Sequence, residues 1–222
     1  MERNLPTLQA VLFDMDGLMF NSEDIYYAAS EEVARRRGKV YTKEIDRMIM
    51  GTSTEFAMKT IIRELGLIDN WQALGDETQV VFRELLPKML KPMPGLMELL
   101  DFLDENNIPH AIATSTNREL MEYTLSIYNL EPRFAKTITG SDITHCKPNP
   151  EIYLKAAAAL GVAPENCMVL EDSSNGCRAG KNAGAYVVAV PAEHSQGQDI
   201  SFVDFVANTL ADPGIRQRLL AR

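Results

Sequence analysis

Short apolar runs alternate with amphipathic segments along most of the chain. Between the runs, apolar residues recur at the spacing of helices, with polar residues on the opposite face. Strands that alternate with helices in this way predict an α/β fold with a doubly wound parallel sheet. The C-terminal segment predicts one further strand and helix. The runs typical of buried strands are residues 8–13, 110–114, 136–139, 167–170 and 185–190.

The stretch that follows the first strand predicts helices only. Ser22 is a candidate N-cap for the first helix, and Thr52 with Glu55 forms a capping-box pair for another. A third helix is predicted from about Asp76, with a perturbation at Pro87. No convincing strand interrupts this stretch, so we expect it to fold as a helical unit of its own.

Two domains are therefore expected. A stiff, proline-rich segment at residues 91–95 marks the point where the chain leaves the helical stretch. We expect residues 1–19 and 92–222 to form a core domain. Residues 20–91 are expected to form a helical domain inserted just after the first strand.

The charge balance narrows the range of partners. Lys and Arg number 22 against 31 Asp and Glu, which gives a formal net charge of −9. Such a chain is unsuited to nucleic acid or an anionic membrane surface, so a small substrate is expected. The sequence has no apolar run of membrane-spanning length, no signal-peptide pattern and no CxxC pair among its cysteines. We therefore expect a cytoplasmic protein, and the pattern carries no signal for an oligomeric state.

Polar side chains stand at the ends of the predicted strands. In an open α/β sheet, ligands bind outside the carboxyl ends of the strands. We therefore expect the side chains at these ends to meet in one site. The four polar clusters are Asp14 with Asp16 after the first strand, Thr114 to Asn117 after the next, Lys147 in a later loop, and Glu171 with Asp172.

The clusters contain the groups that a magnesium and phosphate site needs. Carboxylates at Asp14, Asp16 and Asp172 are hard oxygen ligands of the kind that Mg²⁺ prefers. Lys147 adds positive charge, and the Thr114 hydroxyl with the backbone N–H groups at the following helix start can hold phosphate oxygens. Each residue is ordinary alone, but four clusters in this order indicate a catalytic site. The candidate phosphate-binding residues are Thr114, Ser115, Asn117 and Lys147.

Other polar residues have simpler explanations. His110, His145 and His194 lack the spacing that is typical of metal ligands. Thr116 fits a helix capping box, which is common at helix starts. The arginines at 35–37 are typical of a solvated helix end, with a clamp for a substrate anion as the alternative.

The order of these motifs resembles that of the haloacid dehalogenase superfamily, whose phosphatases carry Asp-x-Asp, a Thr or Ser, a Lys and a late acidic pair. The resemblance implies a Rossmann-like core in which Asp14 is the nucleophile and Asp16 the general acid and base. It also implies that Thr114 and Lys147 hold the phosphate and that Asp172 is a metal ligand. Mg²⁺ is then the expected cofactor, and a small phosphorylated metabolite the expected substrate.

Three segments look like the β-phosphoglucomutase-like branch of this superfamily. In that branch Glu171 would also approach the metal, and residues 20–91 would form a helical cap. The backbone carbonyl of Asp16 can bind the metal while its side chain acts on the substrate. The segments are residues 13–18 (Phe-Asp-Met-Asp-Gly-Leu), 147–153 (Lys-Pro-Asn-Pro-Glu-Ile-Tyr) and 170–176 (Leu-Glu-Asp-Ser-Ser-Asn-Gly).

A phosphatase and a phosphosugar mutase are the main alternatives. A mutase of that branch would carry a His near Tyr26, an Arg near Thr54 and an acidic residue at Asn21, and this sequence has none of them. We therefore expect Mg-dependent hydrolysis of a phosphomonoester, by default a sugar phosphate, through an aspartyl-phosphate. A non-catalytic protein is disfavoured because no charged motif residue is missing. A cofactor-free dehalogenase would leave Asp16 and Asp172 without a purpose.

Overall fold

The computed structural model describes residues 7–50, 52–195 and 197–221, which fall into two compact units. One unit runs up to Phe20 and resumes at Pro92, and the other spans Asn21–Lys91. The assignment of a catalytic core and a cap to these units stays a prediction. None of the helices in the described ranges is long and apolar enough to cross a lipid bilayer.

The first unit is built on a parallel sheet with β1 near its centre. The described strands are β1 Ala10–Phe13, β2 His110–Ala113, β3 Lys136–Ile138, β4 Cys167–Glu171, β5 Tyr186–Ala189 and β6 Phe205–Val206. Their order across the sheet is β3-β2-β1-β4-β5-β6, and every neighbouring pair is parallel. This arrangement confirms the predicted α/β fold with its doubly wound sheet.

The second unit consists of helices in the described residues. They are α1 Ser22–Arg36, α2 Lys43–Ile49, α3 Thr54–Leu65 and α4 Trp71–Met89. Both α1 and α3 pack against α4, and α2 packs against α3. The rings of Tyr26 and Phe82 stack with their centroids 3.9 Å apart. Arg37 closes the end of α1 by donating to the carboxylates of Asp69 and Glu77.

Helices cover the sheet of the first unit. They are α5 Leu96–Glu105, α6 Arg118–Ser126, α7 Glu151–Leu160, α8 Ser174–Asn182 and α9 Pro213–Leu220. On one face α7 packs against β1, β2 and β3, and α8 packs against β4 and β5.

Strand β1 is covered on both of its faces. Ala10 and Leu12 lie in the apolar cluster that contains residues of α7 and α8. Phe13 points to the other face, where its ring makes T-shaped contacts with the rings of His110 and Phe134. The ring centroids lie 6.2 and 6.0 Å apart, respectively. A strand buried on both sides needs a continuous apolar run, and this explains the pattern of residues 8–13.

Helix α4 begins earlier than the sequence predicts. It begins at Trp71 because Asn70 caps it, accepting the backbone N–H groups of Gln72 and Ala73. The predicted start near Asp76 is therefore wrong. Pro87 lies inside the helix, which continues to Met89.

The predicted caps of three other helices are shifted by one residue. Ser53, not Thr52, accepts the N–H bond that caps α3. Asn117, not Thr116, caps α6. Ser22 is the first residue of α1 rather than its cap. Neighbouring Ser, Thr and Asn residues have similar capping propensity, so backbone geometry decides between them.

Candidate active site

The polar clusters meet at the carboxyl ends of β1, β2 and β4. Asp14 follows β1 directly, Thr114 follows β2, and Glu171 is the last residue of β4. The sheet order places β1 between β2 and β4, where the chain reverses its direction of winding. Ligands of open α/β sheets bind at such a switch point, and the backbone bond from Asp14 N to the carbonyl of Leu170 holds two of the strand ends together at 3.1 Å.

Lys147 is the central cation of this cluster. Its ammonium donates to Asp14 Oδ1 at 2.5 Å, to Glu171 Oε1 at 2.7 Å and to the carbonyl oxygen of Ala113 at 3.2 Å. An ammonium has three donors, and these contacts use all of them. Its side chain is only 8% exposed, so the charge lies inside the protein and depends on its partners.

Glu171 is fully buried and accepts hydrogen bonds on both carboxylate oxygens. Oε1 accepts from Lys147 and from the Tyr153 hydroxyl at 2.8 Å, and Oε2 accepts from the backbone N–H and hydroxyl of Ser173. A side chain at Gly176 would overlap this carboxylate, which explains the glycine. Tyr153 lies eighteen residues before Glu171. Nothing in the sequence of residues 147–153 indicates that this tyrosine has a role beyond that of an aromatic residue in the core.

Burial controls the protonation of these groups. It raises the pKa of Asp14 well above the usual value, and the Lys147 charge offsets this only in part. Burial and the Glu171 charge likewise raise the pKa of Asp172. Burial also opposes ionisation of Glu171, but the charge and hydrogen bond of Lys147, together with the hydrogen bonds from Tyr153 and Ser173, outweigh it and lower the pKa. Burial disfavours the Lys147 charge, yet Asp14 and Glu171 together raise its pKa, so the ammonium stays protonated.

The buried carboxylates fit a divalent metal ion. Asp14, Glu171 and Asp172 each offer one oxygen, and these oxygens lie within 4.8 Å of one another. When all three carboxyl groups are ionised, they and the Lys147 ammonium leave two negative charges without compensation, which a divalent cation would balance. The donors are all carboxylate oxygens, which suit a hard cation. The carboxylate of Asp16 lies outside this group of three.

Asp16 is instead held by two threonine hydroxyls. Thr114 and Thr116 donate to the same oxygen, Asp16 Oδ2, at 3.1 and 2.6 Å. The backbone N–H of Thr116 in turn donates to the Thr114 hydroxyl at 3.1 Å. The capping-box interpretation of Thr116 is therefore wrong. Its position three residues after the end of β2 is the one signal in the sequence that points to this role.

The other two candidate phosphate-binding residues lie beside these threonines. Ser115 is exposed between them. Asn117 uses its side-chain oxygen to accept the backbone N–H of Leu120 and so caps α6. Both residues stand at the start of a helix, where backbone N–H groups favour an anion. The structure thus brings residues 114–117 to the site. The side-chain oxygen of Asn117 is already used to cap α6.

His194 is a site residue that the sequence pattern did not reveal. Its Nε2 lies 2.8 Å from Asp172 Oδ2, and its side chain is 18% exposed. It belongs to a short 3₁₀ turn, Glu193–Ser195, that follows β5. The spacing typical of metal ligands does not reveal His194, because its partner is the carboxylate of Asp172.

Comparison with known proteins identifies the family of this chain. The family model described as haloacid dehalogenase-like hydrolase matches residues 11–190. The phosphorylated carbohydrates phosphatase of Thermotoga maritima is 35% identical over 178 residues, which are 80% of this chain and 82% of that protein. A probable pseudouridine-5′-phosphatase of Drosophila melanogaster is 34% identical over 207 residues, 90% of this chain and 89% of that protein.

Solved structures share the fold. A crystal structure from Thermotoga maritima, described provisionally as a β-phosphoglucomutase, superimposes with a TM-score of 0.83 at 29% identity. The match covers 96% of this chain and all of that one. The likeness therefore extends over both units.

Proposed function

Because this chain belongs to the family of haloacid dehalogenase-like hydrolases and is a phosphoric monoester hydrolase, we propose that it hydrolyses a small phosphorylated metabolite with Mg²⁺ through an aspartyl-phosphate on Asp14. The observation that supports this most is the buried group of three carboxylates around Lys147. A buried excess of negative charge is costly in a purely structural role, and it is explained if a cation and a phosphate ester are the natural occupants.

The first half of the reaction transfers the phosphoryl group to the protein. A carboxylate oxygen of Asp14 attacks phosphorus, and the bond between phosphorus and the ester oxygen breaks. Asp16 gives its proton to the departing alcohol, and Lys147 offsets charge on the phosphoryl oxygens. Mg²⁺ held by Asp14, Glu171 and Asp172, with the backbone carbonyl of Asp16, would supply further positive charge there.

The second half releases phosphate. A water oxygen attacks the phosphorus, Asp16 accepts the proton of that water, and the bond between phosphorus and Asp14 breaks. Both carboxyl groups then return to their starting protonation states. The two hydroxyls that donate to Asp16 Oδ2 hold this carboxyl group in place for both proton transfers. Each proton transfer by Asp16 is expected to raise the rate by about 10² to 10⁴-fold.

We assign the catalytic core to residues 1–19 and 92–222 and a cap that selects the substrate to residues 20–91. All the residues of the proposed chemistry lie in the first unit, and the helical unit supplies none of them. A sugar phosphate is the proposed substrate class, because the relative from Thermotoga maritima is named for phosphorylated carbohydrates.

Hydrolysis is proposed over mutase activity. A mutase must grip a second phosphate while the first reacts, and cationic groups would be needed for this. The arginines at 35–37 are candidates, but Arg35 and Arg36 pair with Glu32, and Arg37 pairs with Asp69. β-Glucose 1-phosphate supplied with a catalytic amount of the 1,6-bisphosphate should therefore give free phosphate. Efficient formation of glucose 6-phosphate with little phosphate released would favour the mutase.

The test of the proposed chemistry has two parts. A panel of phosphomonoesters should release phosphate in Mg²⁺ and lose this activity in EDTA, and full activity in metal-free buffer would contradict the metal requirement. Rapid quenching with a ³²P-labelled substrate should place the label on Asp14, and Asp14→Asn should abolish both label and turnover. Label on another residue, or none in an active enzyme, would show that the nucleophile is wrongly assigned.

A further inference from the structure

The contact between His194 and Asp172 joins two segments that are distant in sequence. Asp172 is 5% exposed, so few partners reach its carboxylate, and His194 Nε2 lies 2.8 Å from its Oδ2. An ionised carboxylate can only accept hydrogen bonds, so the imidazole N–H is the donor when Asp172 is charged. His194 therefore has the chemistry to fix the orientation of this carboxylate.

The segment that carries His194 is attached to the start of α8. The Ser195 hydroxyl accepts the backbone N–H of Ala192 at 3.0 Å, which closes the turn around His194. Further along, Gln198 Oε1 accepts the backbone N–H of Ser174, and the Ser174 hydroxyl donates to the carbonyl of Asp199. Since Ser174 lies two residues beyond Asp172, these bonds hold imidazole and carboxylate in one local framework.

Gly17 leaves the space that this contact needs. A Cβ atom at this position would lie 2.7 Å from Asp172 Oδ2 and 2.7 Å from His194 Nε2. Its φ of +81° is also in the left-handed region that favours glycine. The turn of the Asp-x-Asp segment is therefore shaped around the pair.

We propose that His194 is a positioning residue for the metal site: it holds Oδ2 of Asp172 so that the other carboxylate oxygen is directed to the cation. This inference rests on the proposed function, because it assumes that Asp172 binds Mg²⁺. Partners of ligating side chains orient them, and their loss typically weakens metal binding about 10 to 100-fold. His194 is thus expected to act on Mg²⁺ affinity without touching the substrate or the ion.

The experiment titrates the metal-free protein with Mg²⁺ alone and measures the dissociation constant by calorimetry. His194→Asn and His194→Gln carry the same amide, but only the longer Gln places its nitrogen near the position of the imidazole Nε2. We expect the dissociation constant to rise about 10 to 100-fold in His194→Asn and His194→Ala, and to stay within about threefold of wild type in His194→Gln. His145→Ala is the matched control, because its imidazole is 68% exposed and pairs with Glu151.

The readout separates positioning from general stability. Melting temperatures in EDTA should be similar for His194→Asn and His194→Gln, while their Mg²⁺ affinities differ. Equal Mg²⁺ affinity in wild type and in both shorter variants would overturn the role of His194 and leave the proposed function standing. Tighter binding in His194→Ala would also overturn it, since His194 would then compete with the metal. A wild-type protein that does not bind Mg²⁺ would contradict both proposals.

Discussion

Asp172→Asn tests the charge argument for the site, because it removes one buried charge and little volume. In the metal-free protein Asp172 is nearly buried, and burial with the Glu171 charge raises its pKa. The amide keeps an oxygen that accepts from His194. We therefore expect the variant to be more stable than wild type in EDTA at pH 8, by about 1 kcal/mol.

Metal should reverse the order of stability. Wild type at a Mg²⁺ concentration of about 100 times its dissociation constant should gain about 2.7 kcal/mol, which is about 5 to 10 °C in Tm for a chain of this size. If Asp172→Asn weakens Mg²⁺ binding about 100-fold, its gain at the same concentration is about 0.4 kcal/mol. The variant that is more stable in EDTA thus becomes the less stable one in Mg²⁺.

The difference in stability between Asp172→Asn and wild type in EDTA should change with pH in one direction. A carboxyl group whose pKa is raised by folding binds its proton more tightly in the folded protein, so its ionisation costs stability as the pH rises through the folded pKa. The advantage of Asp172→Asn in EDTA should therefore be present at pH 8. It should shrink as the pH falls through the raised pKa towards about 3.9, the value for an unfolded Asp.

The assay is urea unfolding with and without Mg²⁺ across this pH range. Asp76→Asn serves as the control, because it removes the same charge from an exposed position on α4 and should change neither stability nor the gain with Mg²⁺. A variant at Asp172 that is less stable than wild type in EDTA at pH 8 would refute the argument from uncompensated charge. A full Mg²⁺ gain in that variant would refute the assignment of Asp172 as a ligand.

Two hydroxyl groups near the carboxylates give further predictions. Tyr153→Phe removes the donor to Glu171 Oε1 and keeps the ring, so the free energy of unfolding should fall by about 1.5 to 3 kcal/mol in urea titrations. An unchanged midpoint in Tyr153→Phe would contradict the importance of this bond. Thr116→Val removes the shorter of the two hydroxyl bonds to Asp16. In steady-state assays kcat should therefore fall about 10 to 100-fold, with KM nearly constant. A change in KM alone would instead indicate a role in substrate binding.

Local patterns in the sequence predicted the sheet and the residues at its strand ends. Buried parallel strands need continuous apolar runs, and the carboxyl ends of such strands share one edge. For this reason Asp14, Lys147 and Asp172 could be assigned to one site before any contact was known, and the structure brings them together. The order of the motifs also indicated the family that the comparison confirms.

Local patterns were less reliable where neighbouring residues have similar chemistry. Thr116 and Asn117 are both good N-caps, and the sequence pattern assigned the capping role to Thr116. In the structure Asn117 caps α6, while the Thr116 hydroxyl reaches Asp16. Because the helix starts one residue later than predicted, Thr116 is free of the capping role and belongs to the site instead.

Only the tertiary structure could bring Tyr153 and His194 into the site. The apolar pattern and ligand spacing describe what a residue does within its own element, and both residues fit ordinary local roles. Their partners lie 18 and 22 positions away, and the Thr116 bond to Asp16 spans 100 positions. Such contacts depend on how strands and loops pack together, and packing depends on the whole chain, so no local spacing could reveal them.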